Sequence, residues 1–289
     1  MSLAIQRSAV ANPLKDCRSI LVTPGTAVDR FRSAQKCDAD ALLYDLEDSV
    51  RIVDKDLARN SWRLFDKGIF TKPVSVRVNS INTLCGLRDL EAMMDTGHVP
   101  DLLFLPKVED PAVVKLVSAI LDEQAASTSL CAILETPGGV GDALSIARSD
   151  RRLVALCFGL ADYAACLGVT TQWEEMIHAR ATVVMAARAA GLIAVDAPTF
   201  ALEDFGQLEE DCSRSRNMGF NAKIAIHPRQ ISHINKHFSP SEESVIWARK
   251  VLDAVEGHSD AISVVDGTMI GPPFVRRAHS IVSGKASTS

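Results

Sequence analysis

What constrains this chain most is a rhythm: eight short apolar runs, each closed by polar residues and followed by turn chemistry and a helical pattern. The runs are Ser19 to Pro24, Ala41 to Asp48, Pro73 to Asn79, Leu102 to Glu109, Leu130 to Thr136, Leu153 to Tyr163, Gly191 to Thr199 and Phe220 to Pro228. Segments between them show helical spacing and start signals, such as Asp54 to Lys67, Pro111 to Glu123, Trp173 to Ala190 and Leu202 to Met218. Strands apolar on both faces that alternate with amphipathic helices belong to a parallel sheet covered by helices. Eight such repeats predict closure into an α/β fold of the (β/α)8 TIM-barrel type, and 289 residues suit one barrel. The open dinucleotide-binding alternative is weakened because Thr23-Pro24-Gly25-Thr26 follows the first strand in place of its glycine fingerprint. On this reading residues 1–240 form the barrel, and a C-terminal helical extension and tail, 241–289, lie outside it.

Composition narrows the function classes. With 47% apolar and 23% charged residues and no apolar run of bilayer-spanning length, the chain reads as a globular protein with no membrane partner. A net charge of -5 supplies no basic field for nucleic acid, though it leaves room for a local basic pocket that takes a phosphate. Seven scattered cysteines without a C-x-x-C pair predict reduced thiols in a cytoplasmic protein. The stretch from Met1 to Asp16 shows no export signal and is expected to be a short flexible arm. The polar tail after Ser283 is expected to be disordered, its Gly284-Lys285 pair lacking the context of a phosphate loop.

In a parallel barrel the chemistry gathers where the strands end. Those ends offer Asp45, Glu47 and Asp48, then Arg77 and Asn79, Lys107, Glu135, Asp162, Asp196 and His227. Any one of them alone could be a helix cap or a rim ion pair; their succession on consecutive strands points to a site. Glu135 and Asp162 close neighbouring strands about 4.8 Å apart, so two carboxylates can meet one hard cation, Mg2+ or alternatively Mn2+. Arg77 suits a planar oxyanion, with a structural ion pair to Asp45 or Glu47 as the competing role. His233 and His237 have zinc spacing but no third ligand, and are read as surface residues. The turn Gly138-Gly139-Val140-Gly141 could approach a ligand phosphate or could simply permit a tight connection.

The phrases RSILVTPG, ALLYDLEDSV, DKDLAR, SVRVN, FLPKVE, AILETPGGV, FGLADYAACLG, GFNAKIAIHP and DGTMI, in this order, resemble the citrate lyase beta-subunit-like and malyl-CoA lyase family. The family sits within the wider metal-dependent aldolase superfamily, and the likeness runs from Arg18 to about His279. The resemblance implies a magnesium-dependent carbon–carbon lyase acting on malyl-, citramalyl- or citryl-type CoA thioesters, usually assembled as a homotrimer or hexamer. It implies Glu135 and Asp162 as metal ligands and Arg77 as the arginine that contacts substrate. Glu47 and Asp48 match the family's acidic pair near the metal's waters, and Arg18, Lys107 and the segment around Lys223 and His227 match positions for holding substrate or coenzyme phosphates. The chain departs from the family's Met-Ile-Asp phrase, reading Met269-Ile270-Gly271, with Asp266 the nearest carboxylate. It also reads Pro137-Gly138 where relatives often carry small residues and arginine. Three functions follow: a CoA-thioester lyase, a coenzyme-free 2-oxoacid aldolase with the same metal, or a barrel serving as a non-catalytic lyase subunit or ligand-binding regulator.

Overall fold

The computed structural model describes residues 11–64, 66–124, 126–255 and 262–283. Its first part alternates β1 (Ser19–Pro24), α1 (Val28–Ala34), β2 (Ala41–Asp45), α2 (Lys55–Arg63), β3 (Val74–Arg77), α3 (Leu84–Thr96), β4 (Leu102–Leu105) and α4 (Pro111–Glu123). The second part runs β5 (Ser129–Leu134), α5 (Pro137–Gly141), α6 (Ala143–Ala147), β6 (Leu153–Phe158), α7 (Leu160–Leu167), α8 (Trp173–Ala189), β7 (Ile193–Asp196), α9 (Phe205–Met218), β8 (Ala222–Ala225) and α10 (Ile231–Phe238). The eight strands pair in parallel and in chain order, and β1 returns to β8 with Ser19 opposite Lys223, which closes the barrel.

Each strand turns one set of side chains inward and the other toward the helices. Ile20, Leu43, Phe104, Ile133, Cys157, Val195 and Ile224 fill the interior. Leu42, Tyr44, Val76, Leu103, Leu156 and Ala194 meet the helical layer. Local signals set the helix ends: Asp110 accepts from Ala112 N with Pro111 in the first turn of α4, and Thr83 caps α3, which Gly97 ends in the left-handed conformation. All seven cysteines are free thiols. Among the described residues no helix is long and apolar enough to cross a membrane.

Three expectations are corrected here. The described part of the N-terminal stretch is no loose arm: Leu14 is fully buried in the barrel interior, and Ala11 O accepts from Ser129 Oγ at 2.6 Å. Residues 1–10, like the tail beyond Ser283, lie outside the described residues. Several strands stop short of their apolar runs, β2 at Asp45 and β6 at Phe158, because the runs continue into the rim loops and, for Leu153 to Tyr163, into α7. The extension is not purely helical, for α11 (Glu242–Ala254) and α12 (Pro272–Val282) enclose an antiparallel hairpin, β9 (Ser263–Val265) and β10 (Thr268–Ile270). Asp266 and Gly267 sit at its turn with φ of 48° and 76°, the double positive φ of the favoured two-residue hairpin turn.

Candidate active site

Arg77 closes β3 directly opposite Asp45, the last residue of β2. Its Nε and Nη2 donate to the two Asp45 oxygens at 2.6 and 2.7 Å, a bidentate pair. Asp45 also accepts from the Glu47 and Ser49 amides, so its carboxylate shapes the loop that presents the next two acids. Burial alone would raise the Asp45 carboxyl, but the charge and hydrogen bonds of Arg77, aided by Ser49, bring it below the usual carboxylate range. Burial likewise opposes the Arg77 charge, and Asp45, Glu47 and Asp48 more than offset it.

The remaining guanidinium nitrogen, Nη1, stands 3.0 Å from Glu47 Oε2 and 3.7 Å from Asp48 Oδ2. Glu47 is buried, and Oε2 receives no aligned hydrogen bond in spite of that short distance. The contact is therefore Coulombic without a directed N–H. Burial raises the Glu47 carboxyl despite Arg77 and Lys107. Lys107 Nζ donates to Glu47 Oε1 at 2.6 Å and lies 3.8 Å from Asp48 and 3.9 Å from Asp162.

Lys107 also acts through its backbone. Its φ of 53° turns its amide toward Glu135, whose Oε1 accepts at 2.8 Å. Glu135 follows β5, is 2% exposed, and is pushed up to about 8 by burial, then by Glu47 and Asp162, against Lys107 and Arg77. Its place depends on Gly159, where a Cβ would stand 2.3 Å from Glu135 Cβ and 2.5 Å from Oε2. Asp162 reaches the cluster from the first turn of α7, not from the strand, and is half-buried.

The pattern of the HpcH/HpaI aldolase/citrate lyase family matches residues 18–228. The chain belongs to the HpcH/HpaI aldolase/citrate lyase family. Citrate lyase subunit beta of Escherichia coli is 31% identical over 280 residues, covering 92% of each chain. L-malyl-CoA/beta-methylmalyl-CoA lyase of Cereibacter sphaeroides is 31% identical over 303 residues, covering 94% of this chain and 95% of the relative. The Mycobacterium tuberculosis CitE structure in complex with magnesium, acetoacetate and coenzyme A superposes with a TM-score of 0.79 at 29% identity, over 96% of this chain and 98% of that one. The named relatives in this HpcH/HpaI aldolase/citrate lyase family are lyases.

Of the residues singled out in the sequence, Arg77, Glu47, Asp48, Lys107, Glu135 and Asp162 meet at one rim. Arg18 does not. It precedes β1 and so lies at the opposite end of the barrel, with its Nε 2.9 Å from Asp40. Lys223 and Asp196 are fully buried and point out of the barrel wall toward the helices, where Lys223 Nζ, Arg180 Nε and Ser215 Oγ all bond Asp196. Asn79 is taken up by Asp89, and His227 caps the turn after β8 by accepting from Arg229 N. His233 stacks on Phe205 and pairs with Glu209, while His237 faces the barrel floor. The glycine-rich turn forms the short helix α5 capped by Thr136, and Gly139 is required there because a Cβ would meet Val108 O at 2.3 Å. Gly159 and the backbone turn at Lys107 were missed in the sequence; a glycine directly after an apolar strand signals the first, and nothing in the residues around Lys107 signals the second.

Proposed function

We propose that this barrel is a magnesium-dependent carbon–carbon lyase that cleaves a short 3-hydroxyacyl-CoA thioester of citramalyl, malyl or citryl type into a 2-oxoacid and an acyl-CoA. The observation that carries the reading is the buried Glu135 carboxylate, oriented by a backbone amide, beside Asp162 and facing an arginine fixed by its own carboxylate. Among the described residues no three His, Cys, Asp or Glu side chains form a metal-holding group. Two carboxylates are what magnesium commonly takes from a protein, so Glu135 and Asp162 suit the ion and leave positions for substrate. The buried Glu47 Oε2, which receives no hydrogen bond, adds an acceptor beside them. Magnesium complexes of a structural relative support the same reading.

Magnesium bound by Glu135 and Asp162 would supply Lewis-acid polarisation of substrate oxygens. The chain's own part follows from charge. Arg77, held by Asp45, offers Nη1 to the 2-oxoacid carboxylate and steadies negative charge that grows during cleavage. Lys107 fixes Glu135 through its amide and balances Glu47 through its ammonium. Glu47 and Asp48 hold the two cations at the mouth of the site. Cleavage takes the hydroxyl proton, breaks the bond to the carbon next to the thioester, and leaves there an enolate that gains a proton.

Coenzyme-free aldolase chemistry is favoured by one observation. Gly271 caps α12, and the space where its Cβ would stand holds nothing nearer than Pro273 Cδ at 3.9 Å, so an acid would fit there and is absent. The deciding assay offers malyl-, citramalyl- and citryl-CoA with magnesium and traps released 2-oxoacid with phenylhydrazine. Turnover of a thioester that EDTA abolishes supports the first reading; turnover of free hydroxy acids alone replaces it. Apolar side chains exposed on the extension, at Ile262, Val264 and Met269, support assembly as a trimer or hexamer, and the free thiols support a cytoplasmic setting.

A further inference from the structure

A cavity of about 770 Å3 opens at the floor of the barrel, at the end opposite Glu135 and Asp162. The floor assignment follows from the elements: Arg18 precedes β1, Asn221 precedes β8, and Arg188, Arg216 and His237 stand at the C-terminal ends of α8, α9 and α10. The other wall is the extension, which contributes Arg277 from α12 and Ser241, the cap of α11.

The charged side chains in this wall are mostly cationic, with Arg18, Arg188, Arg216 and Arg277 in the lining. Arg188 donates to Gly219 O, and Arg18 is paired with Asp40. Arg216 and Arg277 have no carboxylate within ion-pair distance among the described residues; Arg277 rests on the Trp247 ring, 5.2 Å from its centroid. Burial first, and then the neighbouring arginine, Arg216 beside Arg188 and Arg277 beside Arg216, weakens the hold of Arg188 and of Arg216 on their protons. Asp16 is the acidic member of the lining.

Two further groups point the same way. Asn221 is 7% exposed, and its Oδ1 accepts from Ala194 N, which fixes the amide orientation and leaves Nδ2 as a buried donor with no acceptor in the protein. The Nε2 atom of His237 is buried and likewise has no partner. Arginines at helix C-termini often do no more than complement the helix dipole, but that role explains neither Asn221 Nδ2 nor Arg277, which lies mid-helix on another element. A donor-rich, arginine-lined cavity of nucleotide size suits multidentate oxyanions.

We propose that the barrel floor is a binding site for a di- or polyphosphate group, held between the barrel and the C-terminal extension by Arg188, Arg216, Arg277, Asn221 and His237. Such a ligand would clamp the extension to the barrel, because its contacts come from both.

Calorimetric titration of the full chain in EDTA with inorganic pyrophosphate, and separately with adenosine diphosphate, tests this. One saturable site per chain is expected, with Glu135→Gln keeping wild-type affinity because the rim is not involved. Arg277→Gln, an exposed substitution, should weaken binding about tenfold, and Arg216→Gln/Arg277→Gln more, as loss of charged hydrogen bonds requires. Tighter binding of the nucleotide assigns a nucleotide ligand, and equal affinity an inorganic polyphosphate. Absence of saturable binding to the wild type, unchanged affinity in the Arg277→Gln chain and the folded double variant, or loss of binding in Glu135→Gln would overturn the proposal.

Discussion

At the rim of the barrel Glu47, Asp48, Glu135 and Asp162 share the two cations Arg77 and Lys107, whereas at the floor Arg188, Arg216 and Arg277 crowd one another beside few acids. Both ends are strand or helix termini of the same scaffold, and both leave charge of one sign in excess. The difference lies in how each excess is fixed. At the rim directed hydrogen bonds tie Arg77 to Asp45, Lys107 Nζ to Glu47 and the Lys107 amide to Glu135, and an ion pair between Arg77 and Glu47 joins the two halves. At the floor the arginines are steadied by packing and carbonyls, as Arg277 is by Trp247 and Arg188 by Gly219. A set position suits chemistry at one atom; a looser donor field suits capture.

The rim's dependence on exact placement is tested most severely by Glu135→Gln, which should cut magnesium-dependent kcat about a thousandfold, equivalent to several kcal/mol. The same variant should melt higher than wild type in EDTA near neutral pH, since the fold must keep a proton on Glu135, raised to about 8, that the unfolded chain has already lost. Circular dichroism melts read that sign directly. Gly159→Ala leaves every charge in place and shifts Glu135, so magnesium affinity measured by calorimetry should fall roughly tenfold to a hundredfold. Wild-type affinity there would show that Glu135 does not need its observed pose.

Asp45→Asn keeps the shape and removes the charge that aligns Arg77. KM for substrate should rise about tenfold or more while magnesium affinity stays near wild type. Magnesium affinity should itself gain about tenfold per pH unit up to about pH 8, because the ion displaces the Glu135 proton; above that it should level off. A flat profile between pH 6 and 8 would remove Glu135 from the ligand set. The smallest catalytic effect is expected from Lys223→Met, which breaks the wall pair with Asp196 and should cost about 3 kcal/mol of stability without moving KM in the folded fraction.

Much of this was legible in the sequence because period and order are strong signals. The eight runs gave the strands, and the polar residues that end them gave six of the rim groups. Position along a run did not give the facing. In strands buried on both sides, alternation is invisible, so Asp196 reads like a rim residue although it points to the helices, where it meets Lys223. Arg18 entered through the resemblance alone, and its place before β1 puts it at the end of the barrel away from Glu135 and Asp162. Leu14 is one apolar residue with no periodic context, and nothing nearby in sequence marks it as a plug for the barrel. Gly159 answers a steric demand made by Glu135, twenty-four residues earlier, which only the folded chain presents. The hairpin in the extension was readable, since Asp266-Gly267 between short apolar runs is a turn signal, and treating the region as helical passed over it.

Lys107 joins two separable instructions in one position. Its amide, presented by a left-handed backbone, orients Glu135, while its ammonium answers Glu47. Truncation of the side chain erases only the second instruction, so an alanine scan reads the ammonium and is blind to the amide. Variation in the side chain and constraint on the loop can therefore coexist at this residue, and the bend that aims the amide can be inherited even where the lysine is exchanged.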